Sequence, residues 1–146
     1  MTDSPYRPEV RLVALRDTPI DVAEIVTALD DDASGGLTLF VGRVHDHDGG
    51  KSVDGLDYTA HPTALEKLQE VCDRVAQEYD VLGVAAVHRV GTLAIGDVAV
   101  VVATTTAHRG EAFAASRMLI DTLKAEVPIW KHQRFGDGSD EWVGTP

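Results

Sequence analysis

One cysteine, Cys72, stands in the whole chain. A lone thiol forms no internal disulfide, and it leaves no cysteine-based zinc site within one chain. No apolar run reaches the roughly 18 residues that a membrane-spanning helix needs. The opening residues, MTDSPYRPEV, lack the apolar core of a secretory signal, so a cytoplasmic protein without membrane contact is expected. Basic residues are scarce: 13 Lys and Arg face 24 Asp and Glu, for a net charge of -11. That balance argues against nucleic-acid binding. Internal repeats, low-complexity tracts and linkers are also missing, so residues 1–146 read as one domain, long enough for a substantial core.

The charge is unevenly distributed. Residues 88–134 hold six Lys and Arg against four Asp and Glu, while the remainder holds seven against twenty. A locally cationic segment in an acidic chain suits a small anion better than a polyanion track. The same segment contains the stretch around which the rest is organised, TTTAHRGEAFAASRMLIDTLKAEVPIWKHQ, residues 104–133. It leaves a β-branched run, 98–106, and sets His108 and Arg109 where a helix starts. An alanine-rich helix follows, with Phe113, Met118, Leu119, Ile120 and Leu123 as its large apolar residues and Lys124 near its end. Pro128 stops it, and Ile129, Trp130 and Lys131 open another strand. Unpaired N–H groups at a helix start, next to His108 and Arg109, suggest an anion site. A lysine in apolar surroundings can have its pKa lowered and become a nucleophile or proton carrier. Spacing alone equally allows a solvated lysine and arginine on an ordinary helix.

Taken in order, residues 10–15 alternate as a strand. Thr18-Pro19-Ile20-Asp21 predicts a helix start with Thr18 as the cap, followed by the apolar positions Ile20, Val22, Ile25, Val26 and Leu29. The acids at 30–32 read as a solvated helix end. Residues 37–44 form a second strand, in which Gly42 predicts a bulge or close backbone approach. The segment His45-Asp46-His47-Asp48-Gly49-Gly50 invites a metal reading, but a Gly-Gly loop fixes no ligand geometry, and a mobile polar loop is expected. Residues 53–60 form a third strand. After His61-Pro62-Thr63, the positions Leu65, Leu68, Cys72, Val75 and Tyr79 form a helical apolar stripe that places Cys72 in the core, unreactive. Residues 84–90 and 98–106 are strands; His88 and Arg89 in the first read as structural. Residues 129–135 and 141–143 form a hairpin around Gly136-Asp137-Gly138. Strands outnumber helices without regular interleaving, which gives an α+β class.

Several short motifs then fall into one order: Phe40-x-Gly42-x-Val44, Leu56-x-Tyr58, His88-Arg89-x-Gly91, Gly96-Asp97, Ala107-His108-Arg109-x-x-Ala112-Phe113, Leu123-Lys124, Pro128-Ile129-Trp130-Lys131 and Trp142-Val143. In this order and spacing, from about residue 10 to 143, the chain resembles the large, catalytic subunit of molybdopterin synthase. The resemblance implies a mainly antiparallel, hammerhead-like α+β fold with two main amphipathic helices and a short N-terminal one. It implies sulfur transfer from the C-terminal Gly-Gly thiocarboxylate of a small ubiquitin-like subunit to cyclic pyranopterin monophosphate, forming the dithiolene of molybdopterin. It also implies a homodimer within a heterotetramer, with no cofactor or metal.

Carried over residue by residue, the resemblance makes Lys124 and Lys131 the catalytic lysines. Arg43, Val44, His45, His108, Arg109, His132 and Gln133 join them as substrate-binding residues. The chain departs from the family at two of these positions. His45 stands where arginine is usual, exchanging a permanent charge for a titratable one. Gln133 stands where glutamate is usual, so an acceptor charge is lost. A chemical corollary supports the sulfur reading: a protein whose only thiol is buried must receive its sulfur from elsewhere. Two other readings stay open on the residues: a diverged scaffold that binds the small subunit without turnover, and a generic phosphate-binding module built on His108 and Arg109.

Overall fold

The computed structural model describes residues 6–144. Nine strands and three helices form an α+β fold: β1 (Val10–Arg16), α1 (Val22–Ala28), β2 (Gly36–Arg43), β3 (His47–Asp48), β4 (Lys51–Ala60), α2 (Ala64–Glu78), β5 (Gly83–Arg89), β6 (Gly91–Ala94), β7 (Val98–Thr106), α3 (Arg109–Glu126), β8 (Ile129–Phe135) and β9 (Asp140–Val143). Two sheets divide them. The first has the order β1-β5-β7-β2; the second runs β3-β4-β8-β9, with β6 also paired to β4. All pairings are antiparallel except β1 with β5.

The first sheet is covered on both faces, which explains the near-continuous apolar runs of β5 and β7. On one face α2 and α3 pack Leu68, Val71, Val75, Leu119 and Leu123 against Val84, Ala86, Val100 and Val102. On the other, α1 packs Ile25 and Leu29 against Ala85, Val87, Val101 and Ala103. The two-residue period of a strand assigns alternate side chains of β5 to the two cores. A smaller cluster of Val44, Leu56, Leu93 and Ala99 lies where the second sheet meets the first.

The predicted bulge at Gly42 is present: the register shifts between Gly42 and Arg43, and an added Cβ at Gly42 would lie 2.7 Å from a Val100 methyl. The hairpin after Pro128 and the core position of Cys72 also agree with expectation. Burial pushes the Cys72 thiol up to about 12, so no thiolate forms near neutral pH.

Four local expectations change. The cap of α1 is Asp21, whose carboxylate accepts from the Ala23 N–H, because Asp21 and not Thr18 lies within reach of the free first-turn donors. Segment 45–50 is not a loose loop: His47 and Asp48 pair with Ser52 and Lys51 across a two-residue Gly49-Gly50 turn. Both glycines have positive φ, +58° and +79°, as a primed hairpin turn requires. A short strand, β6, fills part of the expected connection at 91–97 and pairs with β4. Finally, the α2 stripe is rotated. Leu65 is 39% exposed, while Ala64, Val71 and Ala76 join Leu68, Cys72 and Val75 inside.

The rotated stripe makes a stability prediction. Leu68→Ala should cost about 2–5 kcal/mol in denaturant unfolding, as core truncations do. Leu65→Ala should stay within about 0.5 kcal/mol.

Candidate active site

The end of α3 and the start of β8 are joined by only Val127 and Pro128, so Lys124 and Lys131 return to the same place from different elements. Both line a cavity of about 130 Å³, together with Tyr58, His88, Leu123, Val127, Ile129, Val143 and Gly144. The register explains the assembly. Tyr58 of β4 is paired with Lys131 of β8, which is paired in turn with Val143 of β9. Directly paired residues share a sheet face, so three adjacent strands present one surface to the end of α3.

Lys124 is exposed as a residue. Protein atoms nevertheless crowd its amine, and this desolvation, then the nearby Lys131 charge, pulls its pKa below the ordinary lysine value. Burial raises the pKa of Tyr58. His88 is 2% exposed and its pKa falls to about 4, chiefly through desolvation, with the Lys124 charge adding to the fall and a hydrogen bond to the Arg89 carbonyl opposing it. The cavity therefore combines two amines, a phenol, a neutral imidazole and apolar walls.

Beside Lys131 lies a polar clasp. Gln133 is 2% exposed, and its amide nitrogen donates to the Asp48 carboxylate at 2.5 Å and to Glu141 at 3.4 Å. The Gln133 bond is the main cause holding the Asp48 carboxyl below its usual range, with Lys131 and His45 adding to it. The clasp thus fastens the β3–β4 hairpin next to the lysine cavity and brings His45 into its neighbourhood. Val44 is buried in the small cluster under the second sheet, while Arg43 is exposed at the end of β2.

The remaining expected site residues lie apart from the cavity. His132 follows Lys131 in β8 and points to the opposite sheet face, where its ring stacks on Trp142 at 4.4 Å and its Nε2 meets the Asp140 carboxylate at 2.7 Å. His108 caps α3 in extended conformation without a side-chain capping bond, and Arg109 begins the helix; both are exposed. Fifteen residues of helix separate Arg109 from Lys124, about 22 Å at 1.5 Å per residue. Phe113, expected among the helix's apolar residues, is 64% exposed.

Sequence reasoning did not assign Tyr58, His88, Val143 or Gly144 to the site. Tyr58 and His88 sit in two of the matched motifs, but only the pairing of β4 with β8 and the end of β5 beside α3 show that they face the lysines.

The family model described as MoaE protein matches residues 15–126. Molybdopterin synthase catalytic subunit 1 of Mycobacterium tuberculosis is 43% identical over 131 residues, covering 89% of this chain and 88% of its relative. The molybdopterin synthase catalytic subunit of a Nostoc strain is 37% identical over 132 residues, covering 89% and 80%. The chain belongs to the MoaE family, the catalytic subunits of molybdopterin synthase. Among solved structures, molybdopterin synthase from Staphylococcus aureus superposes with a TM-score of 0.84 at 28% identity, covering 92% of this chain and 98% of that one. A MoaE protein from Burkholderia ambifaria gives 0.79 at 32% identity, covering 92% and 90%. Among the described residues no helix is long and apolar enough to cross a membrane, and no group of three or more His, Cys, Asp or Glu could hold a metal ion.

The clasp gives a pH-dependent prediction. Gln133→Glu replaces the donor with a third carboxylate between Asp48 and Glu141, so the new group binds its proton more tightly when folded than when unfolded. Stability falls as pH rises through its unfolded pKa. Thermal unfolding should show a deficit at pH 8 that narrows at pH 5. Adding Asp48→Asn restores a donor–acceptor pair and should recover much of the loss at pH 8.

Proposed function

We propose that this MoaE-family enzyme transfers sulfur from the C-terminal thiocarboxylate of a small ubiquitin-like subunit to cyclic pyranopterin monophosphate, forming the dithiolene of molybdopterin. The observation that carries the reading is the convergence of Lys124 and Lys131 on one partly apolar cavity. A thiocarboxylate is anionic near neutral pH, and a flexible Gly-Gly tail is narrow enough to enter a small opening. Two amines beside the entering sulfur can orient it and stabilise charge that develops as it attacks. In each transfer sulfur displaces an oxygen substituent from a substrate carbon, so a carbon–sulfur bond forms as a carbon–oxygen bond breaks and the oxygen departs with its protons or its phosphoryl group. The acyl carbon–sulfur bond then breaks, and water supplies the oxygen that leaves the small subunit with a carboxylate. Lys124, with its lowered pKa, is the group suited to carry a proton in that release or to accept the acyl group transiently.

The opposite ends of α3 bear on assembly. A ligand the size of a phosphorylated pterin does not span the roughly 22 Å from Lys124 to Arg109 within one chain. In the homodimer that the family resemblance implies, the site is composite: one copy supplies Lys124 and Lys131, and the other supplies His108 and Arg109 to the phosphate. The segment from Arg43 to His45, beside the clasp, supplies further contacts. His132, turned to the other sheet face, supports the site through Trp142 and Asp140 without touching ligand.

The departure at Gln133 does not favour a non-catalytic scaffold. Its amide is buried and bonded, and the acidic charge lost at this position is already present on Asp48 and Glu141.

Reconstitution with thiocarboxylated small subunit and the cyclic precursor, read out as dithiolene product, tests the assignment. Lys124→Ala should lower turnover by about 100-fold or more while still binding the small subunit. Near-wild-type transfer by that variant removes Lys124 from the chemistry.

Subunit mixing tests the composite site. Lys124→Ala and Arg109→Ala homodimers, each impaired, should regain about a quarter of wild-type activity when exchanged at equal amounts, because each mixed dimer keeps one intact site. A site confined to one chain predicts no recovery.

A further inference from the structure

We propose that Tyr58 is a catalytic residue whose phenol O–H donates to the acyl oxygen of the small subunit's terminal thiocarboxylate, and then to the oxyanion that forms when the acyl group is released. The proposal rests on the sulfur-transfer reading given above and extends it to a residue to which neither the motifs nor the comparisons give a role.

Several observations place Tyr58. It lines the cavity that Lys124 and Lys131 share. In the sheet it is paired directly with Lys131 of β8, while its partner on β6 is Gly91, which presents no side chain. Directly paired residues have Cβ atoms about 5 Å apart on one face, so a group that reaches Lys131 also comes within range of Tyr58. The ring is held from the side by His88, itself 2% exposed, which it meets edge to face with centroids 4.9 Å apart and planes at 87°. Among the described residues, the hydroxyl bonds to no protein group. Nor is it sealed in: the buried polar side-chain atoms without a partner are Glu9 Oε2, Arg89 Nε and Trp130 Nε1. A held ring with a free, accessible hydroxyl at the cavity wall leaves a donor for a ligand.

The other polar side chains of the cavity do not take this part. The amines of Lys124 and Lys131 suit the sulfur, which carries most of the negative charge of a thiocarboxylate. The Nδ1 of His88 lies 2.7 Å from the Arg89 carbonyl oxygen, which only accepts, so the one proton of the neutral ring is already donated there. The remaining lining side chains are apolar. Tyr58 thus supplies the uncharged donor. Burial raises its pKa, so the O–H keeps its proton near neutrality.

The donor matters most in the release step. Once sulfur has bonded to a substrate carbon, the end of the small subunit is a thioester. Water adds its oxygen to the acyl carbon, one of its protons passes to a neutral Lys124 amine, and the carbonyl electron pair moves onto the acyl oxygen. That oxyanion then re-forms its double bond as the acyl carbon–sulfur bond breaks. Thiolate stays on the substrate, and the acid left on the small subunit loses its proton to solvent. A hydrogen bond from Tyr58 strengthens as negative charge gathers on the acyl oxygen, so it stabilises the transition state more than the ground state. A third cation in its place would add like charge to a cavity that already holds two amines.

The test uses the intact chain with thiocarboxylated small subunit whose C-terminal glycine carries ¹³C at the acyl carbon. Tyr58→Phe keeps the ring and its contact with His88 and removes only the hydroxyl. The kcat for dithiolene formation should fall about 100-fold, with KM for the cyclic precursor and affinity for the small subunit little changed. A second measurement needs no turnover. In infrared difference spectra of the complex without precursor, the labelled acyl band should move to higher wavenumber in Tyr58→Phe, because a hydrogen bond to its oxygen is lost. With 3-fluorotyrosine at position 58, a more acidic phenol in the same place, the band should move to lower wavenumber. A merely structural ring shifts neither. A folded Tyr58→Phe variant with kcat within about threefold of wild type, or with the acyl band unmoved, overturns the proposal. Wild-type enzyme that forms no dithiolene while both band shifts are present would overturn the sulfur-transfer reading and leave the contact established.

Discussion

The double burial of β5 is the constraint on which the rest depends. Every residue from Gly83 to Arg89 is buried, between β1 and β7 within the sheet and between helices on its two faces. A strand covered on both sides has no freedom to slip, since a one-residue shift would exchange the side chains of two different cores. Val84 and Ala86 are committed to the α2–α3 side, Ala85 and Val87 to the α1 side. The same alternation sends His88 towards α3 at the end of the strand. Its place beside Lys124 is thus inherited from core packing, and the site begins where the apolar pattern of β5 stops.

From that fixed end the electrostatics follow. An acidic chain brings two like charges to one cavity, an arrangement that costs free energy unless each amine is compensated. Lys131 lies near the carboxylate of Asp48, held in place by a buried amide. Lys124 has no carboxylate bonded to it among the described residues, and its pKa is lowered by desolvation and by its neighbour. Two residues of one type thus acquire different surroundings: Lys131 has a counter-charge nearby, while Lys124 can surrender a proton more readily. Separated environments for paired titratable groups are a common way to divide chemical roles within one site.

Much of this was legible in the sequence, because periodicity reports burial. The β-branched run of β7, the helix that ends at Pro128 and the final hairpin are local patterns that tertiary structure had no reason to override. The failures were also physical. Thr18 carried a plausible capping pattern, but capping requires a side chain next to the free amides, and Asp21 is the residue that lies there. Leu65 was expected in the α2 stripe from its helical spacing, yet it faces outward. Gly49 and Gly50 suggested slackness when their positive φ angles build a tight turn. At the site, the lysines could be named from motifs, whereas His88, Tyr58 and Asp48 depended on strand register and long-range contact, which one sequence does not display.

The two departures from the family pattern are best weighed against their neighbours in the fold. A glutamate at position 133 would be buried next to Asp48 and Glu141, where three carboxylates could not all remain charged without large cost. Glutamine supplies the donor those carboxylates require, so Asp48 and Gln133 form one unit and a substitution at either must be judged with the other. His45 lies on the same hairpin, close enough that its charged form lowers the pKa of Asp48. A permanent arginine charge there would compete with Lys131 for that carboxylate at every pH. The two departures therefore act on one feature, the negative charge at the base of the β3–β4 hairpin.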